Sequence, residues 1–86
     1  MFPSALDNAK VLYYTPPGDY GELRLTTGEI EDRIVYLAVC QYRGDSRYYQ
    51  FGCNAEYEVI TDWLCDSLQE AMQAAQSDED MIWIQA

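Results

Sequence analysis

The stretch IVYLAVCQYRGDSRYYQFGC, residues 34–53, decides the fold that we predict for this chain. Its centre, Gly44-Asp45, is typical of hairpin turns, because glycine tolerates the positive φ that such turns need. Side chains alternate along a strand, so a turn at this point brings the apolar residues of both runs to one face. The predicted partners are Tyr42 with Arg47, Cys40 with Tyr49, Ala38 with Phe51 and Tyr36 with Cys53.

The opposite face of this hairpin is also apolar along its first strand, which places Val35, Leu37 and Val39 there. A strand that is apolar on both sides is either covered twice or half exposed at an interface. The sequence therefore predicts a candidate interface that consists of Val35, Leu37, Val39, Tyr48 and Trp83.

Weaker strand patterns flank the hairpin. Residues 11–15 are rich in β-branched and aromatic side chains and stop at Pro16-Pro17, which favours an edge strand. We expect residues 1–9 to form a loose arm or one helical turn. The remaining predicted strands are residues 22–26, residues 57–61, and residues 81–84 as a last strand or a hydrophobic tail. A three-residue loop, 54–56, is favoured over a two-residue loop because it avoids burying Glu56 and Glu58.

One helix is predicted to follow. Ser67-Leu68-Gln69-Glu70 is a capping box, in which the serine hydroxyl accepts from the Glu70 amide and the Glu70 side chain reaches back. Its apolar stripe is Leu68, Ala71, Met72 and Ala75. We expect this stripe to cover the face of Ala38 and Phe51, and a strand at 81–84 to join the sheet in parallel. The predicted fold is a single α+β domain, residues 1–86, with an antiparallel sheet of four to five strands and one helix packed on one face.

Charge and composition exclude several functions. The 86 residues contain 15 acidic and 5 basic side chains and no histidine, for a net charge of −10. A nucleic-acid partner is excluded, because binding to phosphates depends on Lys and Arg. Imidazole-dependent catalytic and metal sites are excluded as well. No apolar run approaches the roughly 20 residues of a membrane helix, and no secretory signal is visible. Residues 48–86 hold eight acidic residues and no basic residue. In the whole chain, eight of the twelve aromatic residues are tyrosines, which are enriched at interfaces.

The three cysteines, Cys40, Cys53 and Cys65, are an odd number with no C-x-x-C pair, which predicts free thiols in a reducing cytoplasm. Cys65 precedes the predicted helix, where a thiol pKa can fall, so it is a candidate nucleophile. Asp62 and Asp66 flank it, however, and no base stands nearby. Packing at the helix entry is the favoured role.

Two groups of acidic residues are candidates for chemical sites. Asp62 and Asp66, with Glu58 nearby, resemble a pair for acid–base catalysis, but a Thr-Asp pair more often closes a strand. Asp78-Glu79-Asp80 lacks the alternating ligands and glycine of a calcium loop. We therefore predict no catalytic residue, no metal and no cofactor.

Three further segments are informative: KVLYYTP (Lys10 to Pro16), YYQFGC (Tyr48 to Cys53) and EVITDWLCDSLQEAMQAA (Glu58 to Ala75). In these segments the chain resembles a group of small uncharacterised bacterial proteins. The resemblance implies a compact bacterial α+β unit. It implies no catalytic residues.

Because the sequence indicates no catalytic residue, no metal site and no nucleic-acid partner, we predict a small acidic protein that is not an enzyme. We expect a protein-interaction module or a homodimer, joined through the Leu37 face or through a sheet edge. One alternative is an acidic inhibitor, such as an immunity protein or a nucleic-acid mimic, that caps a basic partner and is steered to it by charge. The other is a small enzyme that uses Cys65.

Overall fold

The computed structural model describes residues 1–73 and 81–86, and in them the chain is mostly β-structure. Six strands form one antiparallel sheet in the order β1-β2-β5-β6-β7, with β8 also paired to β2, and β3 pairs with β4 as a separate ribbon. The elements are β1 (Ala5–Leu6), β2 (Ala9–Tyr14), β3 (Glu22–Arg24), β4 (Ile30–Arg33), β5 (Tyr36–Gln41), β6 (Tyr48–Cys53), β7 (Val59–Cys65), α1 (Leu68–Met72) and β8 (Ile84–Gln85).

The predicted α+β class with four to five strands is therefore wrong. The described residues contain eight strands and a helix of only five residues. Two of the strands, β1 and β8, are two residues long, and strands this short leave no alternation that a sequence pattern could reveal. They form because β2 offers them an unsatisfied backbone edge.

The central hairpin is confirmed in its register. Tyr36 lies opposite Cys53, Ala38 opposite Phe51, and Cys40 opposite Tyr49. At the turn, Gly44 has a φ of 82°, and the Asp45 N–H donates to the Tyr42 carbonyl at 3.1 Å. We call one side of the sheet the tyrosine face: Tyr36, Ala38, Cys40, Tyr49, Phe51 and Cys53. The other side, here the helix face, carries Leu37, Val39, Tyr48, Gln50 and Cys65.

The helix has the predicted cap but covers the other face. The Ser67 hydroxyl oxygen accepts from the Glu70 N–H at 3.1 Å, and Glu70 Oε2 accepts from the Asp66 N–H at 3.1 Å. Ala71 is fully buried in a cluster with Val39 and Cys65, with Leu68 and Met72 packed around it. The expectation that the helix covers the tyrosine face is wrong, because β7 continues to Cys65 and the short link after it turns the chain onto the side that Cys65 faces. Ala75 and Asp78-Glu79-Asp80 lie outside the described residues.

The tyrosine face is covered by the start of the chain instead. The Phe2 ring stacks on Tyr14 with centroids 4.5 Å apart, and it meets Tyr36 and Tyr57 edge-on at 5.5 and 5.3 Å. Leu6 is buried in the same cluster. Residues 1–9 thus form no loose arm, because β1 pairs with β2 across a tight turn at Asp7 and Asn8, whose φ angles are 48° and 68°.

The strands around the hairpin also differ in placement from the prediction. β2 lies inside the sheet, with β5 on one side and β1 and β8 on the other, so it is not an edge strand. β8 pairs with β2 antiparallel, where a parallel strand was expected. Five residues, 54–58, join β6 to β7, so neither predicted loop length occurs; Val59 lies opposite Cys53. Residues 25–29 join β3 to β4.

Candidate functional site

The outer edge of β7 is the longest strand edge without a partner in the part of the chain that the structure describes. β7 pairs along one side with β6, from Tyr48 opposite Cys65 to Cys53 opposite Val59. No strand among residues 1–73 and 81–86 pairs with its other side. The opposite margin of the sheet differs, because β1 and β8 both occupy the free side of β2.

Two large apolar side chains stand exposed on this edge strand. Trp63 is 54% exposed and Leu64 is 47% exposed. Trp63 lies opposite Gln50 and so belongs to the helix face, whereas Leu64 lies opposite Tyr49 and belongs to the tyrosine face. An exposed apolar pair beside an unpaired backbone edge is typical of an interaction site.

Carboxylates flank this pair along the chain. Every charged side chain between residues 48 and 73 is acidic, and all of them are exposed: Glu56, Glu58, Asp62, Asp66 and Glu70. We define the β7 edge patch as Glu58, Asp62, Trp63, Leu64 and Asp66. The patch combines apolar area with negative charge. Its one basic neighbour in the described residues is Arg47, which is near Asp66 and forms an ion pair with Asp45 at 3.2 Å.

A second acidic feature is a notch of about 270 Å³ between β4 and the loop that joins β6 to β7. Asn54 organises it: its Nδ2 donates to Asp32 Oδ2 and to Glu58 Oε1, both at 2.9 Å. Its Oδ1 accepts from the N–H groups of Glu56 and Glu58 at 3.0 Å. Glu31 and Ala55 complete the lining. These hydrogen bonds hold the loop at residues 54–58 together and anchor it to β4, which accounts for the geometry of the notch.

Within the described ranges, no group of three or more histidine, cysteine, aspartate or glutamate side chains converges as metal ligands. Asp62 and Asp66, which the sequence suggests as an acid–base pair, are both exposed. Asp62 lies within β7, and the Asp66 N–H is held by Glu70. The pair therefore lacks the burial that would separate the roles of an acid and a base.

The predicted interface residues do not form a free surface. Leu37 and Val39 are fully buried, and Val35, Tyr48 and Trp83 are half-buried. Val39, Tyr48 and Trp83 belong to the cluster that α1 covers. Leu37 and Val39 are therefore not exposed for the predicted contact, because the chain itself covers the second apolar side of β5.

Cys65 is placed by the end of β7 and is buried against α1. Burial, with the nearby charges of Glu70 and Asp66, raises the pKa of its thiol. A nucleophilic cysteine needs the opposite shift. The other two thiols are deeper: burial raises the pKa of Cys40 and of Cys53 to about 12.

Sequence reasoning missed Trp63 and Leu64 as exposed residues. The predicted strand, residues 57–61, ends at Thr61, and Cys65 is predicted to pack at the helix entry. The signal that could have found them is the β-branched run Val59-Ile60-Thr61 continuing without a breaker into Trp63, with the first helix cap only at Ser67.

In the described residues, no helix is both long enough and apolar enough to cross a membrane. The chain matches no protein-family model, and comparison with the curated proteins and with the solved structures found no similar chain.

Proposed function

We propose that this chain is a non-enzymatic protein-interaction module that binds a basic protein partner through the β7 edge patch. The observation that carries the proposal is the exposure of Trp63 and Leu64 among carboxylates, with no base between residues 48 and 73. Tryptophan supplies large contact area at interfaces, and complementary charge raises the rate of encounter and rejects acidic partners.

The thiols support a role without catalysis and a reducing compartment. All three cysteines are buried and free. The raised pKa values of Cys40, Cys53 and Cys65 keep the groups protonated near neutrality, where they behave as small core residues. We accordingly propose a cytoplasmic protein with a protein partner and no cofactor.

Self-association through the same strand is the second candidate, because an unpaired edge also accepts a copy of itself. The charge opposes it: each copy carries a net charge of −10, and the edge of each copy brings Asp62, Asp66 and Glu58. Sedimentation velocity at about 50 mM and about 500 mM salt distinguishes the two, since screening shortens the range of repulsion. A dimer at both salt concentrations would favour self-association.

A labelled peptide of alternating lysine and valine is a direct probe of the proposed function. We expect its affinity, measured by fluorescence anisotropy, to fall about tenfold between about 50 mM and 500 mM salt. The double variant Asp62→Lys/Asp66→Lys should lose this binding. The matched control is Asp19→Lys/Glu29→Lys, which makes the same charge change at two exposed sites outside the patch. Equal binding of a glutamate–valine peptide, or equal loss in both double variants, would refute the proposal.

A further inference from the structure

The direction of the backbone groups on β7 follows from two hydrogen bonds of β6. The Cys53 carbonyl accepts from the Val35 N–H at 2.8 Å, so the backbone groups of Cys53 point toward β5. The next residue points the other way, because the Asn54 N–H donates to the Glu58 carbonyl at 3.0 Å on the β7 side. Backbone groups of successive residues alternate in direction across an antiparallel strand. The backbone N–H and C=O groups of Gly52, Gln50 and Tyr48 therefore point toward β7.

The partners of those three residues on β7 are Thr61, Trp63 and Cys65, and their backbone groups point back toward β6. By alternation, the N–H and C=O groups of Asp62 and Leu64 point outward. No described residue is paired with that side of β7. Asp62 and Leu64 are two residues apart, which is the spacing at which a neighbouring antiparallel strand makes its paired hydrogen bonds.

The β7 edge lacks most of the devices that block strand pairing. Natural edges are blunted by proline, lysine, short length or a bulge. β7 is seven residues long and contains no proline, lysine or arginine. Its bulge lies near its start, at the register shift between Gly52 and Cys53 of β6, which leaves residues 61–65 in regular pairing.

We propose that the basic partner binds as an extended segment that adds to the main sheet as the next strand, with its backbone hydrogen-bonded to Asp62 and Leu64. The inference rests on the proposed function and specifies its geometry. Main-chain hydrogen bonds of this kind supply affinity, and alternate side chains supply specificity.

The side chains of β7 define the segment that fits. A residue of the added strand beside Asp62 lies on the tyrosine face and meets a carboxylate, which selects lysine or arginine. A residue beside Trp63 lies on the helix face and meets an exposed indole, which selects an apolar side chain. The preferred segment therefore alternates basic and apolar residues. A second copy of β7 fails this test, since β7 has Asp62 and no base to place opposite it.

Hydrogen exchange tests the geometry with the chain unchanged. We expect the lysine–valine peptide, at saturation, to slow exchange of the Asp62 and Leu64 amides by about tenfold or more. The Thr61 and Trp63 amides, already paired with β6, serve as internal references and should change little. Peptide binding that leaves the Asp62 and Leu64 amides unprotected would overturn strand addition while the proposed function stands. Failure of every basic peptide to bind would overturn both.

A pair of variants at one position separates the backbone from the side chain. Proline is tolerated in an edge strand where its missing N–H would face solvent, so Leu64→Pro removes one docking donor. Leu64→Ala removes the side chain and keeps the N–H. We expect the Leu64→Pro variant to bind the peptide with about tenfold lower affinity than the Leu64→Ala variant. Equal affinities in the two variants, with both folded by circular dichroism, would refute the backbone contact.

Discussion

The hydroxyl oxygen of Thr15 accepts a hydrogen bond from the Leu37 N–H at 2.9 Å, and the Thr15 N–H donates to the Leu37 carbonyl at 3.0 Å. Both residues are fully buried. Pro16 follows and has no N–H, so regular pairing of this strand with β5 does not continue past Thr15. The threonine side chain thus supplies the acceptor that a continuing strand would otherwise provide.

Thr15→Val should cost about 1–3 kcal/mol of unfolding free energy, because the shape is kept while the Leu37 N–H loses its acceptor in a buried site. Urea denaturation at neutral pH measures the change. Thr15→Ser retains the hydroxyl and should recover most of the loss. If the Thr15→Val and Thr15→Ser variants were equally stable, the hydrogen bond would contribute nothing to the unfolding free energy.

Gly52→Ala should destabilise the sheet by about 1–3 kcal/mol. A Cβ at Gly52 would overlap Oγ1 of Thr61 on the neighbouring strand and press on Ile34. In a Thr61→Ala background, which removes that oxygen, the same substitution should cost less. A double-mutant cycle by urea denaturation gives the coupling, and strict additivity would show that the two positions do not clash.

Phe2→Ala should lower the unfolding free energy by about 1–3 kcal/mol, because the Phe2 ring packs against Tyr14, Tyr36 and Tyr57. Leu25→Ala is the matched control, since that side chain is 44% exposed at the end of β3. The thermal midpoint of each variant measures the difference. An unchanged midpoint for Phe2→Ala would mean that residues 1–9 are loose, as the sequence alone suggested.

Stability should fall as pH rises through the alkaline range. Burial raises the pKa of Cys40 and of Cys53 to about 12, whereas unfolded thiols titrate near pH 8.5. Between those values the unfolded chain releases protons that the folded chain retains, so unfolding is favoured by up to about 1.4 kcal/mol per pH unit for each thiol. Below about pH 8.5 this contribution is fully present.

Urea denaturation from about pH 7 to about pH 10 gives the slope. Cys40→Ala should reduce that slope, because one of the three buried thiols with a raised pKa is then absent. A slope that is the same in the variant and in the parent chain would contradict the assignment to the thiols. The raised pKa of Tyr42, caused first by burial and then by Asp7, acts in the same direction.

The features that were predictable from the sequence are those that local pattern determines. The pairing of Ala38 with Phe51 and of Cys40 with Tyr49 follows from one turn and a period of two, and the Ser67 cap follows from hydroxyl and amide geometry. The face that α1 covers depends instead on how far β7 runs. That length is set by pairing with β6, and polar–apolar alternation does not mark it, because Trp63 and Leu64 are consecutive apolar residues on opposite faces.

The candidate site escaped prediction for a related reason. Val35, Leu37 and Val39 are predicted as an interface because they are apolar, but Leu37 and Val39 are fully buried, and Val39 lies in the cluster of α1 and Trp83. Trp63 and Leu64 are equally apolar and remain exposed because β7 is the last strand in the sheet order. Sheet order is a property of tertiary pairing, so hydrophobicity alone does not separate the two sets.

The two margins of the main sheet are unlike, and this limits what can be built from it. β1 and β8 are two residues each and cover the side of β2 away from β5, so that margin presents no long run of open backbone groups. Continuous fibres grow only when each unit has an acceptor at both ends. A chain that can be extended on one side alone is terminated by its first added strand, so assemblies formed through β7 should be discrete complexes and not filaments.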